Sequence, residues 1–265
     1  TGLIRPGAKF GPATFADHMQ ADGLTCAFKG WAMGNAAEWI SNEHNISRED
    51  QDAFAARSHQ KAAAAAAAGH FDAETRVFTG AEVGNRKVPG PEGGVGVDEG
   101  VRADSSAEGL AKLRPAFDPE GTVTAGNASQ ISDGAAALVV ASTEAAAELG
   151  VRPLAKIVGH GTAGVSPEAI FTAPAAGMAA LLDRHNLSVD DIDLFEINEA
   201  FAAQVLMNQR ALSIPDEKLN ISGGGIALGH PIGASGARVL VTLVHGLIRT
   251  GGRRGVASLC LGGGN

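Results

Sequence analysis

From about residue 131 the sequence switches back and forth between short apolar runs and helix-length segments, and few architectures accommodate that rhythm. Residues 137–141, 154–158, 194–197, 219–222 and 255–259 read as strands, the first as a buried one. Residues 142–149, 175–185, 199–212 and 235–249 read as helices. Gly150 stops the first of these helices, and Ser235 reads as the cap of the last. Strands separated by helices of this length imply a layered α/β domain. The chain before residue 131 has another character. Residues 1–32 are irregular, broken by glycines, Pro6 and Pro12, and a first helix is expected over 35–43. Ser47, followed three residues later by Asp50, reads as a capping-box-like start of a second helix that ends near Gly69. Residues 79–100, rich in Gly, Pro and charge, read as a surface loop.

The 265 residues suffice for one large domain or two modest ones. Hydrophobic residues make up 45% and charged residues 19%, a globular composition. A net charge of −8 argues against nucleic acid as a partner, because phosphate-backbone binding needs a basic face. A ligand with a few phosphates remains compatible, held by a handful of arginines and backbone amides. Cys26 and Cys260 lie far apart and form no disulfide framework, which fits a reduced, intracellular setting. No apolar run is long enough to span a bilayer, so no membrane partner is expected. Both ends of the chain read as cut, and the expected compartment is the cytoplasm. Mitochondria or peroxisomes are the alternatives, since an N-terminal signal could not be seen here.

Three candidate segments fall where an expected strand ends, the usual place for ligands in open α/β sheets. The first opens on Asn198, which can be read as an ordinary helix N-cap or as an amide that orients a water or an oxyanion. Glu199 after it suits the start of a helix. The second holds six glycines between 223 and 236, with His230 set between Gly229 and Pro231. Glycine at that density makes sense where backbone must approach a ligand closely. An imidazole held rigid in such a loop suits a general base or an oxyanion donor. The third is Cys260 with Gly262, Gly263 and Gly264, where the turn amides are expected to lower the thiol pKa. A fourth segment, 122–130, is a loop in which Ser129 and small neighbours would let a flat ligand lie close. Cys26 has no such context, the other histidines show no metal-ligand spacing, and the glycine run lacks the acidic residue of a dinucleotide site. No metal and no resident cofactor is expected.

The stretches NEAFAAQ at 198–204, GGGIALGHPIGASGAR at 223–238 and CLGGGN at 260–265 resemble the C-terminal motifs of the thiolase family. SREDQDAFAARSHQKA at 47–62, GLAKLRPAF at 109–117 and GTVTAGNASQISDGAAAL at 121–138 extend the likeness over nearly the whole chain. The resemblance implies a layered αβαβα fold, here the loop domain over 1–130 and the C-terminal core domain over 151–265. Residues 131–150 correspond to the closing strand and helix of the N-terminal core. It implies an acyl-CoA acetyltransferase of fatty acid metabolism that forms or thiolytically cleaves 3-ketoacyl-CoA through an acyl-cysteine. Coenzyme A is the co-substrate and the assembly a homodimer or homotetramer. The nucleophilic cysteine is expected outside this chain, which alone would be inactive.

By the same resemblance His230 activates that cysteine and helps hold the first thioester oxyanion. Cys260 shuttles the proton at the substrate α-carbon. Asn198 holds a water that completes an oxyanion hole, and the Gly262 amide serves a second. Ser129 lies beside the pantetheine, Phe117 and Phe201 are pocket walls, Arg102 contacts phosphate and Met33 belongs to the binding region. Ala32 stands where many members carry His, a departure that bears on pantetheine or acyl specificity. Two other functions fit less well: a decarboxylating condensing enzyme of the same fold, and a non-catalytic acyl-CoA-binding subunit.

Overall fold

A computed structural model describes residues 15–84 and 88–265. The expected irregularity of residues 1–32 lies outside the described residues over 1–14. Helix α1 covers Met33–Glu43 and α2 covers Arg48–Ala67. The Ser47 hydroxyl accepts from the Asp50 amide at 3.1 Å, supplying one orphan donor of the first turn. Gly69, at φ +70°, follows α2 in the left-handed region that ends helices. The glycine-rich stretch after it is not wholly loop. Thr79 caps a single turn, α3 (Gly80–Val83), and Phe78 bridges to Val95; residues 85–87 of that stretch lie outside the described residues.

Another single turn, α4 (Ala107–Leu110), precedes the 111–141 region, and α5 (Thr143–Glu148) follows it, capped by Ser142 and closed by Gly150 at φ +65°. Helix α6 covers Ala173–Arg184, strand β1 Leu194–Ile197 and helix α7 Ala202–Leu212. The turn α8 (Gly225–Leu228), the long helix α9 (Ser235–Thr250) and strand β2 (Gly255–Ser258) complete the order. Strands β1 and β2 pair in parallel, Leu194 opposite Gly255 and Ile197 opposite Ser258. Helix α9 packs on both strands. All four residues of β1 are buried, as a strand covered on both faces requires.

One apolar cluster unites the molecule around α7. Ala202, Ala203, Val205, Leu206 and Met207 meet Ala36, Ala37 and Ile40 of α1, Phe54 of α2, Phe171, Met178 of α6 and Phe195 of β1. Small residues on α1 and α7 let these helices approach closely, so segments before and after residue 151 share a single core.

Three expected strands are corrected. Residues 137–141 and 154–158 form no strand and are not buried: Val139 is 97% exposed and Val158 71%. Residues 219–222 make only isolated bridges, Leu219 to Phe195 and Ile221 to Gly223. The cause is common to all three. A strand exists through its partner, and among the described residues β1 and β2 form the only ladder. Helix α7 begins at Ala202 rather than at 199, because residues 198–200 are drawn into the neighbouring loop.

Candidate active site

The parallel register of β1 and β2 fixes which residues leave the sheet side by side. Asn198 follows the last residue of β1, and its amide donates to Ser258 O at 3.0 Å. Cys260 leaves β2 at the same end, two residues beyond Ser258. The glycine-rich loop crosses in front of Asn198. An added Cβ on Gly224 would strike the Glu199 carboxylate, and Gly229 sits at φ +94°, so neither position admits an ordinary side chain.

Asn198 is buried, and its Nδ2 lies 3.3 Å from His230 Nε2, whereas its Oδ1 has no hydrogen-bond partner among the described residues. It is not the cap of α7, a place taken by Phe201. His230 is held on every side. Its amide donates to Gln130 O at 3.2 Å, and its Nδ1 lies 2.5 Å from Ser235 Oγ. Ser235 is the first residue of α9 rather than its cap, and its hydroxyl serves the imidazole and Pro231 O instead of an orphan amide. Burial holds the His230 imidazole below the ordinary histidine range, and the charge of Arg238 pushes the same way. The ring is therefore neutral near pH 7.

Cys260 reverses an expectation. Burial pushes its thiol up to about 12, outweighing the hydrogen bond from its own backbone that lowers it. The turn 262–264 does not bring the sulfur an activating field, because desolvating the thiolate outweighs a single amide. Gly262 is exposed, with open space where a Cβ would sit, and Gly264 O accepts from Val165 N at 2.7 Å. The exposed Phe28 ring packs on Gly263.

The other expected residues divide into two groups. Ser129 donates its amide to Ala200 O at 2.9 Å, which ties 122–130 to the loop after Asn198, and Ala128 bridges to Phe201. Phe117 and Phe201 meet edge to face with centroids 6.2 Å apart, and Phe117 also covers Gly34. Arg102 is exposed, with its amide on His59 Nδ1 at 3.2 Å, and Met33 begins α1 against the core. Among the described residues no hydrogen bond joins either of them to the Asn198–His230 pair. Ala32 precedes α1, its amide donating to Asn35 Oδ1 at 3.2 Å.

Several residues of the site were missed from sequence. Glu199, read as a favourable charge at a helix start, is buried and clamps three segments. Ser58 Oγ donates to its Oε2 at 2.6 Å, Ile226 N to the same oxygen at 3.2 Å, and Asn220 Nδ2 to Oε1 at 2.9 Å. Gln130 Nε2 donates to Gly100 O at 3.0 Å and to Ile226 O at 2.9 Å, pinning the loop from the other side. Beneath it, Glu196 Oε2 lies 3.8 Å from an Arg238 nitrogen. The available signal was a pair of glutamates, 196 and 199, inside an otherwise apolar strand and strand end: carboxylates in a buried strand must be paired. Among the described residues no group of three or more His, Cys, Asp or Glu could hold a metal ion.

Comparison with known proteins bears on this geometry. The thiolase N-terminal domain model matches residues 2–144, and the thiolase C-terminal domain model matches residues 151–265. The chain belongs to the thiolase family. Among similar thiolases, the acetyl-CoA acetyltransferase of Chromobacterium violaceum is 48% identical over 260 residues, covering 98% of this chain and 65% of the relative. A probable acetyl-CoA acyltransferase of Staphylococcus aureus is 49% identical over 263 residues, with the same coverage. The crystal structure of the Bacillus anthracis acetyl-CoA acetyltransferase superposes with a TM-score of 0.88 at 42% identity, covering 98% of this chain and 64% of that one. Human mitochondrial 3-ketoacyl-CoA thiolase in complex with CoA gives 0.84 at 37% identity, with the same coverage. The fold is thus the α/β fold of thiolases, and the chain spans 65% of the length of the curated relatives it matches.

Proposed function

We propose that the full-length protein is an acetyl-CoA acyltransferase that makes and thiolytically cleaves 3-ketoacyl-CoA, and that residues 1–265 supply its acid/base and oxyanion-binding half. The observation that carries this reading is the arrangement at the sheet end. A neutral imidazole and a buried amide with a free acceptor stand together, beside the strand that delivers a thiol. In the cleavage direction a cysteine outside these residues gives its proton to His230 Nε2 and attacks the keto carbon. The C–C bond breaks, and its electrons pass to the α-carbon of acetyl-CoA. A thiol as weakly acidic as Cys260 is neutral at pH 7 and can protonate that carbon. Free CoA then gives its thiol proton to the Cys260 thiolate and takes the acyl group as a thioester, and the departing cysteine recovers its proton from His230.

Donors aimed at the developing oxyanions contribute strongly, and losing one typically slows such reactions by ~10²–10³. Asn198 Oδ1 supports a bound water as one donor, since an acceptor this buried calls for a partner. The Gly262 amide is the other in this reading. Ser129, Phe117, Phe201, Met33 and Arg102 would line the path of the pantetheine and phosphates. CoA is the co-substrate and no resident cofactor is required. Assembly as a homodimer or homotetramer, in the cytoplasm, belongs to the same proposal.

The test is direct. Full-length protein given acetoacetyl-CoA and CoA should consume free thiol as the acetoacetyl-CoA disappears, and His230→Ala should abolish this. Turnover retained in that variant would overturn the roles assigned, and a wild-type protein without turnover would overturn the function.

A further inference from the structure

We propose that Ser235 is a positioning residue that, together with Asn198, fixes His230 in the tautomer protonated on Nδ1, leaving Nε2 unprotonated toward the reacting groups. This rests on the reading of His230 as the base of the site and adds to it the device that makes the base competent.

A neutral imidazole carries one proton, and which nitrogen holds it is set by the partner of the other. Here the two nitrogens have different surroundings. Nδ1 faces away from the sheet end toward Ser235 Oγ at 2.5 Å, whereas Nε2 faces Asn198 Nδ2 at 3.3 Å. An amide NH2 can only donate, so Nε2 must accept, and the ring proton belongs on Nδ1. Ser235 can take it. Its hydroxyl also lies 3.0 Å from Pro231 O, one turn earlier, which is the usual back-bond of a helical serine to the carbonyl four residues before. With its own proton directed there, the oxygen offers its lone pairs to Nδ1–H.

The serine has almost no freedom to do otherwise. It is fully buried, it begins α9, and its amide donates to the same Pro231 carbonyl at 2.9 Å. The same bond serves the reaction's other state. When Nε2 takes a proton the ring is cationic with both nitrogens donating, and Ser235 continues to accept from Nδ1 while Nε2–H turns to an oxyanion. Because the ring is neutral near pH 7, with burial and Arg238 opposing its charge, the choice of tautomer decides whether it can act as a base at all.

The experiment is solid-state nitrogen NMR on full-length protein labelled with 15N-histidine, with His230→Asn to assign the signal. The wild-type resting protein should show a protonated Nδ1 and an unprotonated Nε2. A protonated Nε2 in the neutral ring would overturn the proposal without any variant being needed. In Ser235→Ala the Nδ1 preference should be lost and kcat should fall by about 10- to 100-fold, the usual effect of removing a ring-orienting partner. KM for the acyl-CoA should stay within about threefold, since the serine touches no substrate in this reading. An alanine variant with the wild-type tautomer would also overturn it. The two readings fail separately. An inactive wild-type protein with Nδ1 protonated defeats the proposed function alone, and an active one with Nε2 protonated defeats only the role of Ser235.

Discussion

Cys260 leaves the end of β2 and enters a turn of three glycines, so two opposing influences act on its thiol. Turn amides would favour the thiolate, and burial disfavours it; burial prevails and pushes the thiol up to about 12. The composition around the residue is visible in the sequence, but the balance is not, because desolvation depends on how the part-buried Cys260 packs against core residues from other segments. His230 was easier to read. Its glycine and proline neighbours mark it locally, although Ser235, five residues on, became its partner only through the geometry of the loop. The difference at Cys260 is measurable. At pH 8 a thiol near 12 exposes ~10³-fold less thiolate than a free cysteine thiol at 9.0. Iodoacetamide should therefore alkylate Cys260 in the folded full-length protein on the order of 10³-fold more slowly than in the denatured chain, as read by mass spectrometry of its peptide. Equal rates in the two states would show that burial does not control this thiol.

At the scale of elements, helices were legible and strands largely were not. Helix α2 could be bounded to within a residue or two because its signals are local: a serine hydroxyl on the Asp50 amide at one end, a left-handed glycine at the other. Strands depend on a partner distant in sequence, so the runs at 137–141 and 154–158 had the right composition and no ladder to join. Strand β1 was read correctly, yet the consequence of its Glu196 was not. This carboxyl is buried beside Arg238, with Glu199, Glu74 and Lys61 as further charged neighbours, and burial raises it to about 8; Glu74 is raised to about 7. The sign follows from proton counting. A carboxyl that is more basic folded than unfolded favours the folded state while protonated, and that advantage is lost as pH rises from the unfolded value of about 4.5 toward 8. Glu196→Gln removes the titration. The variant should gain thermal stability relative to the wild-type full-length protein as pH is raised from 5 to 9, by calorimetry at each pH. A constant difference between the two across that range would mean that Glu196 is ionised in the folded protein throughout.

At the scale of the whole molecule, one apolar stretch of the chain is left exposed among the described residues. Residues 131–158 carry Ile131, Leu138, Val139, Val140, Leu149, Val151, Leu154, Ile157 and Val158, each more than a third exposed. Backbone in 137–141 and 154–158 shares no hydrogen bond with any other described segment. Elsewhere the interior is well ordered around α7, with buried carboxylates and amides satisfied at Glu38, Asn127, Glu199 and Asn220. The contrast is between a completed core and an apolar strip whose donors and acceptors remain available. Contiguous exposed apolar surface with unpaired strand-like backbone is where chains associate. The matched relatives are about half as long again as this chain, and the prediction is that further chain of that kind covers the strip. Residues 1–265 prepared alone should then self-associate and bind a hydrophobic dye such as anilinonaphthalene sulfonate, and Val139→Lys with Ile157→Lys should reduce both. In the full-length protein the strip should be protected: wild type should bind little dye, and the same double substitution should destabilise it, because two charges would enter a covered interface. A monomeric residue 1–265 chain that unfolds in one cooperative transition and binds no dye would show that the strip closes on itself, and that the sheet these residues were expected to join is not what covers them.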